Sequence, residues 1–84
     1  MVKQEIWSIS IRRARDFFRK QADVAQEAAD IFVFGSCRIT LTQLEPRGTG
    51  IWAAERMQVR MEGEAADVEN IYHRYFIQFL STGG

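Results

Sequence analysis

The sequence has little of several residue types that define common classes of small protein. Its 84 residues include one cysteine, one proline and one histidine. A single cysteine cannot build an internal disulfide framework or a multi-cysteine metal site. No apolar run approaches the roughly 18 residues that a membrane span needs, and the first residues show no signal-peptide pattern. These absences predict a small cytoplasmic protein with no membrane association, no metal and no other cofactor.

Net charge is lacking as well. Eleven Lys and Arg residues balance eleven Asp and Glu residues, which excludes a protein held on nucleic acid by bulk positive charge and an acidic tail protein. Hydrophobic residues make up 46% of the chain, enough for a core, although domains of this size bury only about 60–65% of their unfolded surface. We therefore predict a single domain that spans residues 1–84.

Three segments have the alternation that is typical of strands. Residues 5–11 alternate apolar residues with serine, which predicts a first strand with one buried face. Residues 37–42 also alternate, and the turn-forming residues 46–50 connect them to a return strand over residues 51–62. Glu55 falls among the apolar side chains of that return strand, so a bulge or a register shift would fit there.

Two segments have helical periodicity. Apolar or small residues recur at steps of three and four over residues 12–30, and a stronger repeat begins after Gly63 and runs to about Leu80. Residues 31–34 either extend the first helix, with Gly35 as a left-handed cap, or form a buried strand, with Gly35 as a bulge. Two aromatic and two β-branched residues in four favour the strand.

The resulting order is strand, helix, strand, strand, helix. The right-handed crossover rule places both helices on one face of the sheet. We therefore predict an α+β two-layer sandwich with a mainly antiparallel, three-stranded sheet in the order first, third, second. By analogy of element order alone, this is a ferredoxin-like arrangement without its last strand.

The missing strand predicts how the protein assembles. Without it, the first strand is a free edge, which a second copy can cover by strand pairing about a two-fold axis. The alternative is that the second helix or residues 1–3 cover this edge. The homodimer edge predicted here consists of Ile6, Trp7, Ser8, Ile9 and Ser10.

A basic surface is a second candidate site. Arginines and hydroxyl groups on the sheet face opposite the helices, together with the basic start of the first helix, suit a phosphate or an RNA backbone. RNA-binding sheets generally present two or three stacking aromatics, whereas this face offers one, and a solvated polar face would have the same composition. The residues of this hypothesis are Arg12, Arg13, Arg38, Trp52, Arg56 and Arg60.

Candidate catalytic groups are few. Cys37 alternates with apolar residues, which is typical of a small core side chain. His73 has no metal partners at suitable spacing and no visible nucleophile. Phosphate-binding loops, dinucleotide fingerprints and nucleophile elbows are absent. We therefore predict no catalytic residue and no enzyme activity.

The last two residues, Gly83 and Gly84, resemble the Gly-Gly end of ubiquitin-like sulfur-carrier proteins, which are near this length. The resemblance covers these two residues only. It implies a β-grasp order, an extended tail and a terminal carboxylate that becomes adenylated. The residues themselves leave a second interpretation open, because glycine is also a common stop after a helix such as the one predicted to end near Leu80.

These patterns rank three functions. The first is a small non-catalytic homodimer that binds or regulates an unidentified protein partner. The second is an RNA- or anion-binding domain that uses the basic surface. The third is a sulfur-carrier-like protein that uses the Gly-Gly end.

Overall fold

The chain forms one antiparallel sheet with two helices. The computed structural model describes residues 1–80, apart from the side chain of Trp52. The strands lie in the order β1-β5-β4-β3-β2, and every neighbouring pair is antiparallel. No helix in the described part of the chain is long and apolar enough to cross a membrane. The elements are β1 (Val2–Trp7), α1 (Ile11–Arg19), β2 (Ala25–Ala28), β3 (Ile31–Phe34), β4 (Cys37–Arg47), a short 3₁₀ turn (Gly50–Trp52), β5 (Ala54–Glu62) and α2 (Ala65–Leu80).

The predicted fold class is wrong in its number of strands. The sheet has five strands rather than three, and the order is β-α-β-β-β-β-α. One additional strand arises because the helix predicted over residues 12–30 ends at Arg19, and the chain then turns back to form β2. The other arises because residues 31–34 and 37–47 are two strands instead of one. The sequence of β2, AQEA, has no alternation and favours helix in isolation. Pairing with β3 makes it a strand. Residues 31–34 form a strand, as favoured, but the bulge predicted at Gly35 is wrong, because Gly35 lies in a hairpin turn and β3 and β4 are two antiparallel strands.

The first strand also has different bounds from those predicted over residues 5–11. β1 ends at Trp7, and the side chain of Ser10 caps α1 by accepting a hydrogen bond from the Arg13 N–H (3.2 Å). Ile9 and Ile11 are buried because the loop and the start of α1 fold over the core. Of the predicted edge, Ile6 and Trp7 lie in β1, whereas Ser8, Ile9 and Ser10 lie in the loop that leads to α1.

The β4–β5 hairpin follows the prediction closely. β1 pairs with β5, and β5 pairs with β4, so these three strands have the neighbour order expected for the first, third and second strands. The register between β4 and β5 is irregular at one point. Leu44 pairs with Arg56 and Arg47 pairs with Ala54, so two residues of β4 lie opposite one residue of β5. Glu55 lies between those two partners, so the defect in its alternation marks a bulge of the opposing strand.

The core lies between the helices and one side of the sheet, here called the helix-facing side. Phe32, Ile39 and Met61 occupy paired positions on three neighbouring strands, and all three are fully buried. Phe18 of α1 packs against Phe32. It also stacks on Tyr75 of α2, with ring centroids 5.7 Å apart. The opposite side of the sheet, here called the open side, carries the alternate strand residues.

The turn between β3 and β4 is fastened to the start of α2. Gly35 takes a positive φ of 56° in this turn, as tight hairpin turns require. Asp67 Oδ2 accepts hydrogen bonds from the Ser36 N–H (2.9 Å) and the Ser36 hydroxyl (2.7 Å). Ser36 Oγ in turn accepts one from the Glu64 N–H (2.9 Å). These backbone and side-chain donors of Ser36 hold the pKa of Asp67 below its ordinary value.

Candidate functional site

A cleft opens where one side of α1 and its C-terminal end meet the end of α2. Phe17 and Phe79 pack against each other with ring centroids 5.6 Å apart, and the Arg13 guanidinium lies 5.6 Å from the Phe79 ring centre. The volume of the cleft is about 370 Å³. Two cations, one carboxylate and two amides surround its aromatic residues. This helix-end cleft is lined by Arg13, Asp16, Phe17, Lys20, Gln21, Gln78 and Phe79.

The last turn of α2 also exposes apolar side chains. Val68, Ile71, Tyr75 and Phe79 form the buried stripe of this helix. Ile77 and Leu80 lie off that stripe, and 54% and 59% of their surfaces are exposed. The end of α2 therefore combines an apolar surface with a partly cationic cleft at the last described residues of the chain. Gly83 and Gly84, on which the resemblance to sulfur carriers depends, lie outside the described residues.

The structure does not bring the six residues of the basic-surface hypothesis together. Arg12 and Arg13 lie in the first turn of α1, in the helix layer. Arg38, Arg56 and Arg60 lie on the open side, because each alternates with residues that face the core. The sheet separates the two groups, so one flat ligand cannot contact both.

Acidic side chains already accompany two of the open-side arginines. Arg60 Nη2 lies 2.8 Å from Glu62 Oε2, and Arg38 Nη2 lies 3.4 Å from Glu27 Oε1. The side chain of Trp52, the only aromatic of the hypothesis, lies outside the described residues. The described strand residues of the open side therefore provide cations and hydroxyl groups but no aromatic on which a base could stack.

A polar cluster that sequence reasoning missed lies where β1 meets α2. Glu5 Oε1 accepts hydrogen bonds from Trp7 Nε1–H (2.9 Å) and from the Tyr72 hydroxyl (2.8 Å). Burial, and then the hydrogen bond to Glu5, raise the pKa of Tyr72 to about 12. Lys3 Nζ lies 4.2 Å from the centre of the Tyr72 ring. The two charged side chains of β1 are thus held on its helix-facing side.

Tyr75 lies beside this cluster and is fully buried. Its ring meets the Trp7 ring edge-on at 5.0 Å. Its hydroxyl has no hydrogen-bond partner among the described residues. Burial, and then the nearby charge of Glu5, raise the pKa of this hydroxyl. In the sequence, the only signal for this cluster is the two-residue spacing of Glu5 and Trp7, which places both side chains on the same face of a strand.

The other two candidate residues lie where their sequence context predicts. Cys37 is fully buried in the core, and burial raises the pKa of its thiol. His73 lies exposed on α2. Within residues 1–80, no group of three or more histidine, cysteine or acidic side chains could hold a metal ion.

The sequence matches the model of a known protein family. A family model described as "Archaeal MoaD-like protein" matches residues 2–84, which is nearly the whole chain and includes Gly83 and Gly84. No curated protein matches the sequence.

Proposed function

We propose a sulfur-carrier role for this chain, which belongs to the archaeal MoaD-like protein family. In this proposal the Gly84 carboxylate attacks the α-phosphate of ATP on a partner enzyme and displaces pyrophosphate. A hydrosulfide-equivalent donor then displaces AMP from the acyl adenylate, so a C–S bond replaces a C–O bond and a thiocarboxylate forms. The observation that carries the proposal is that the family match extends through the Gly83-Gly84 pair.

The strand order of the sheet does not support the proposal. The resemblance to ubiquitin-like carriers implied a β-grasp order and an extended tail. The strand order observed is β1-β5-β4-β3-β2, antiparallel throughout, and the last described element is α2. Support for a carrier role comes from the family and from the chemistry of a glycine pair, whose lack of Cβ atoms lets a chain end enter a narrow channel.

The end of α2 limits how such an enzyme could approach. Four residues follow Leu80, and four fully extended residues span at most about 14 Å. An enzyme that acts on Gly84 must therefore come close to the last turn of α2 and to the helix-end cleft. Exposed Ile77 and Leu80 and the cations Arg13 and Lys20 favour a partner surface with apolar and acidic groups around its channel.

The test is the intact mass of the protein isolated from its native host without alkylating reagents. We expect a fraction heavier by the replacement of one oxygen by one sulfur, located by fragmentation in the peptide that ends at Gly84. Deletion of Gly84 should abolish this fraction. The matched control, Ser81→Ala, changes the same tail but keeps the glycine pair and should retain it.

Two results would refute the carrier role. One is native protein that carries no sulfur in the last peptide when the partner enzymes are expressed. The other is a mature chain whose last residue is not Gly84. Either result leaves the fold and the family membership unaffected.

A further inference from the structure

The two edges of the sheet differ in how well they accept a further strand. β2 has only four residues, its register is irregular between Gln26 and Ala28, and its Glu27 contacts Arg38. Short strands, bulges and charged side chains are common means of protecting an edge. β1 has six residues, an unbroken register against β5 and no proline. Among the described residues β5 is its only neighbour, so β1 is the edge open to pairing.

The hydrogen bonds to β5 fix which backbone groups of β1 point outwards. Met1 N donates to Gly63 O (2.8 Å), and Gly63 N donates to Met1 O (3.1 Å). In an antiparallel ladder, pairs that exchange two hydrogen bonds alternate with pairs that exchange none. The odd-numbered residues of β1 therefore bond to β5, and the N–H and C=O groups of Val2, Gln4 and Ile6 point away from the sheet.

We propose that two copies of the chain pair through β1, antiparallel, about a two-fold axis at Gln4. Val2 of each copy then lies opposite the partner's Ile6, and Gln4 lies opposite the partner's Gln4. This register pairs all the outward-pointing groups of β1. Lys3 of each copy lies opposite the partner's Glu5. The product is one continuous antiparallel sheet with the helices of both copies on the same side.

The side chains of both layers are complementary in this register. On the open side, Val2 and Ile6, which are 52% and 56% exposed in the single chain, cover each other. On the helix-facing side, Lys3 meets the partner's Glu5 at a non-hydrogen-bonded position, where opposite side chains are closest. Tyr72 holds Glu5 in place for this contact through its 2.8 Å hydrogen bond.

The neighbouring registers are disfavoured by charge. Even-numbered residues must face even-numbered residues, so the register can move only in steps that preserve this parity. One step in one direction places Lys3 opposite the partner's Lys3. One step in the other direction places Glu5 opposite the partner's Glu5. Like charges directly opposite each other destabilise a strand pair, so the register centred on Gln4 is favoured over both neighbouring registers.

Paired charge variants test the interface in solution. Val2→Lys/Ile6→Lys and Val2→Glu/Ile6→Glu each place like charges opposite each other in the dimer. Both positions are exposed in the single chain, so the melting temperatures should change little. We expect each variant alone to dimerise about a hundredfold more weakly, and an equimolar mixture of the two to restore the dimer in sedimentation equilibrium.

Two results would overturn the interface. The first is an unmodified chain that remains a 9.7 kDa species up to about 100 µM, which covers even weak specific interfaces. The second is a lysine variant that dimerises as well as the unmodified chain, since the contact would then not involve β1. Neither experiment depends on Gly84, so the dimer can fail without affecting the carrier proposal.

Oxidative crosslinking tests the register. Gln4 and the partner's Gln4 form a hydrogen-bonded pair with Cα atoms about 5.5 Å apart, a distance that a disulfide can bridge. Gln4→Cys should therefore form a disulfide-linked dimer. The matched control is Thr40→Cys, on the open side of β4, where residue 40 pairs with Ile31 of β3 and with Arg60 of β5. Cys37 is fully buried and does not compete. Equal crosslinking of both variants, or none at Gln4, would refute the register.

Discussion

Replacing Gly35 by alanine tests why the β3–β4 turn needs glycine. At its φ of +56°, a residue with a Cβ incurs about 1–2 kcal/mol of backbone strain. The added Cβ would also lie 2.7 Å from Asp67 Oδ2, so the Asp67 side chain would have to move. Its two hydrogen bonds from Ser36 would then be lost. The substitution therefore combines backbone strain with loss of the contact that fastens the turn to α2.

Gly50 provides the control that separates these two effects. Its φ is +60°, and a Cβ there would meet nothing within 4 Å. Gly50→Ala should therefore show strain alone, partly offset because alanine lowers the entropy of the unfolded chain by about 0.4–1 kcal/mol. We expect a net loss of about 1 kcal/mol, or about 4–8 °C in melting temperature for a chain of this size. Gly35→Ala should cost more than this.

A double-mutant cycle with Asp67→Ala identifies the cause of the excess. Urea unfolding followed by circular dichroism gives the free energy of unfolding of Gly35→Ala in the presence and in the absence of the Asp67 carboxylate. Without the carboxylate, Gly35→Ala should cost no more than Gly50→Ala. The reasoning is refuted if Gly35→Ala and Gly50→Ala cost the same in the unmodified chain, or if removal of Asp67 leaves the cost of Gly35→Ala unchanged.

Three further predictions concern ionisable and buried polar groups. The Ser36 donors hold the pKa of Asp67 below 3.8, so its carboxylate stabilises the fold above about pH 4. The difference in free energy of unfolding between the unmodified chain and Asp67→Asn should therefore shrink as the pH falls towards 3. A difference that stays constant with pH would contradict this. The raised pKa of Tyr72, about 12, means that its neutral hydroxyl stabilises the fold fully below about pH 10 and loses this effect between about pH 10 and 12. Ultraviolet titration of Tyr75→Phe, which retains Tyr72 as the only tyrosine, should show that midpoint, and one near 10 would count against the hydrogen bond to Glu5. Because the Tyr75 hydroxyl is buried with no partner among residues 1–80, Tyr75→Phe should leave stability equal or raise it by about 1 kcal/mol; a clear loss in urea unfolding would show that the hydroxyl is satisfied.

The fold was predictable wherever burial imposed a clear period on the sequence. α2 was predicted with nearly correct bounds because Val68, Ile71, Tyr75 and Phe79 must all face the core. β3 was distinguished from a helix by its β-branched and aromatic residues. β2 could not be predicted, because all four of its residues are exposed and edge pairing leaves no alternation in such a segment.

The end of β1 was mispredicted for a different reason. Ile9 and Ile11 continue the alternation of the strand, yet they are buried by the loop and by the first turn of α1. Ser10 has the decisive role, since its side chain and backbone oxygens accept hydrogen bonds from the start of α1. A serine directly before the first residue of a helix is a capping signal that the strand-like alternation concealed.

The candidate sites also differ in how far they could be predicted from the sequence. The Gly83-Gly84 pair is visible in the sequence without any structure, and the family match extends through it. The basic residues were visible too, but only the sheet shows that Arg13 and Arg60 lie in different layers. Sequence alone identifies which residues could act. Sequence alone does not show whether such residues share a surface, because that depends on which side of the sheet each side chain lies.

Lys3 and Glu5 show most clearly what the structure adds. As charged residues in an edge strand, they suggest protection against pairing, which would argue against a dimer. The hydrogen bonds between Met1 and Gly63 reverse this conclusion, because they fix the parity of any partner strand. Once the parity is fixed, the same two charges disfavour both adjacent registers and favour the one centred on Gln4. In the proposed dimer they therefore favour the register centred on Gln4, where a second copy of the chain supplies the complementary charge pattern.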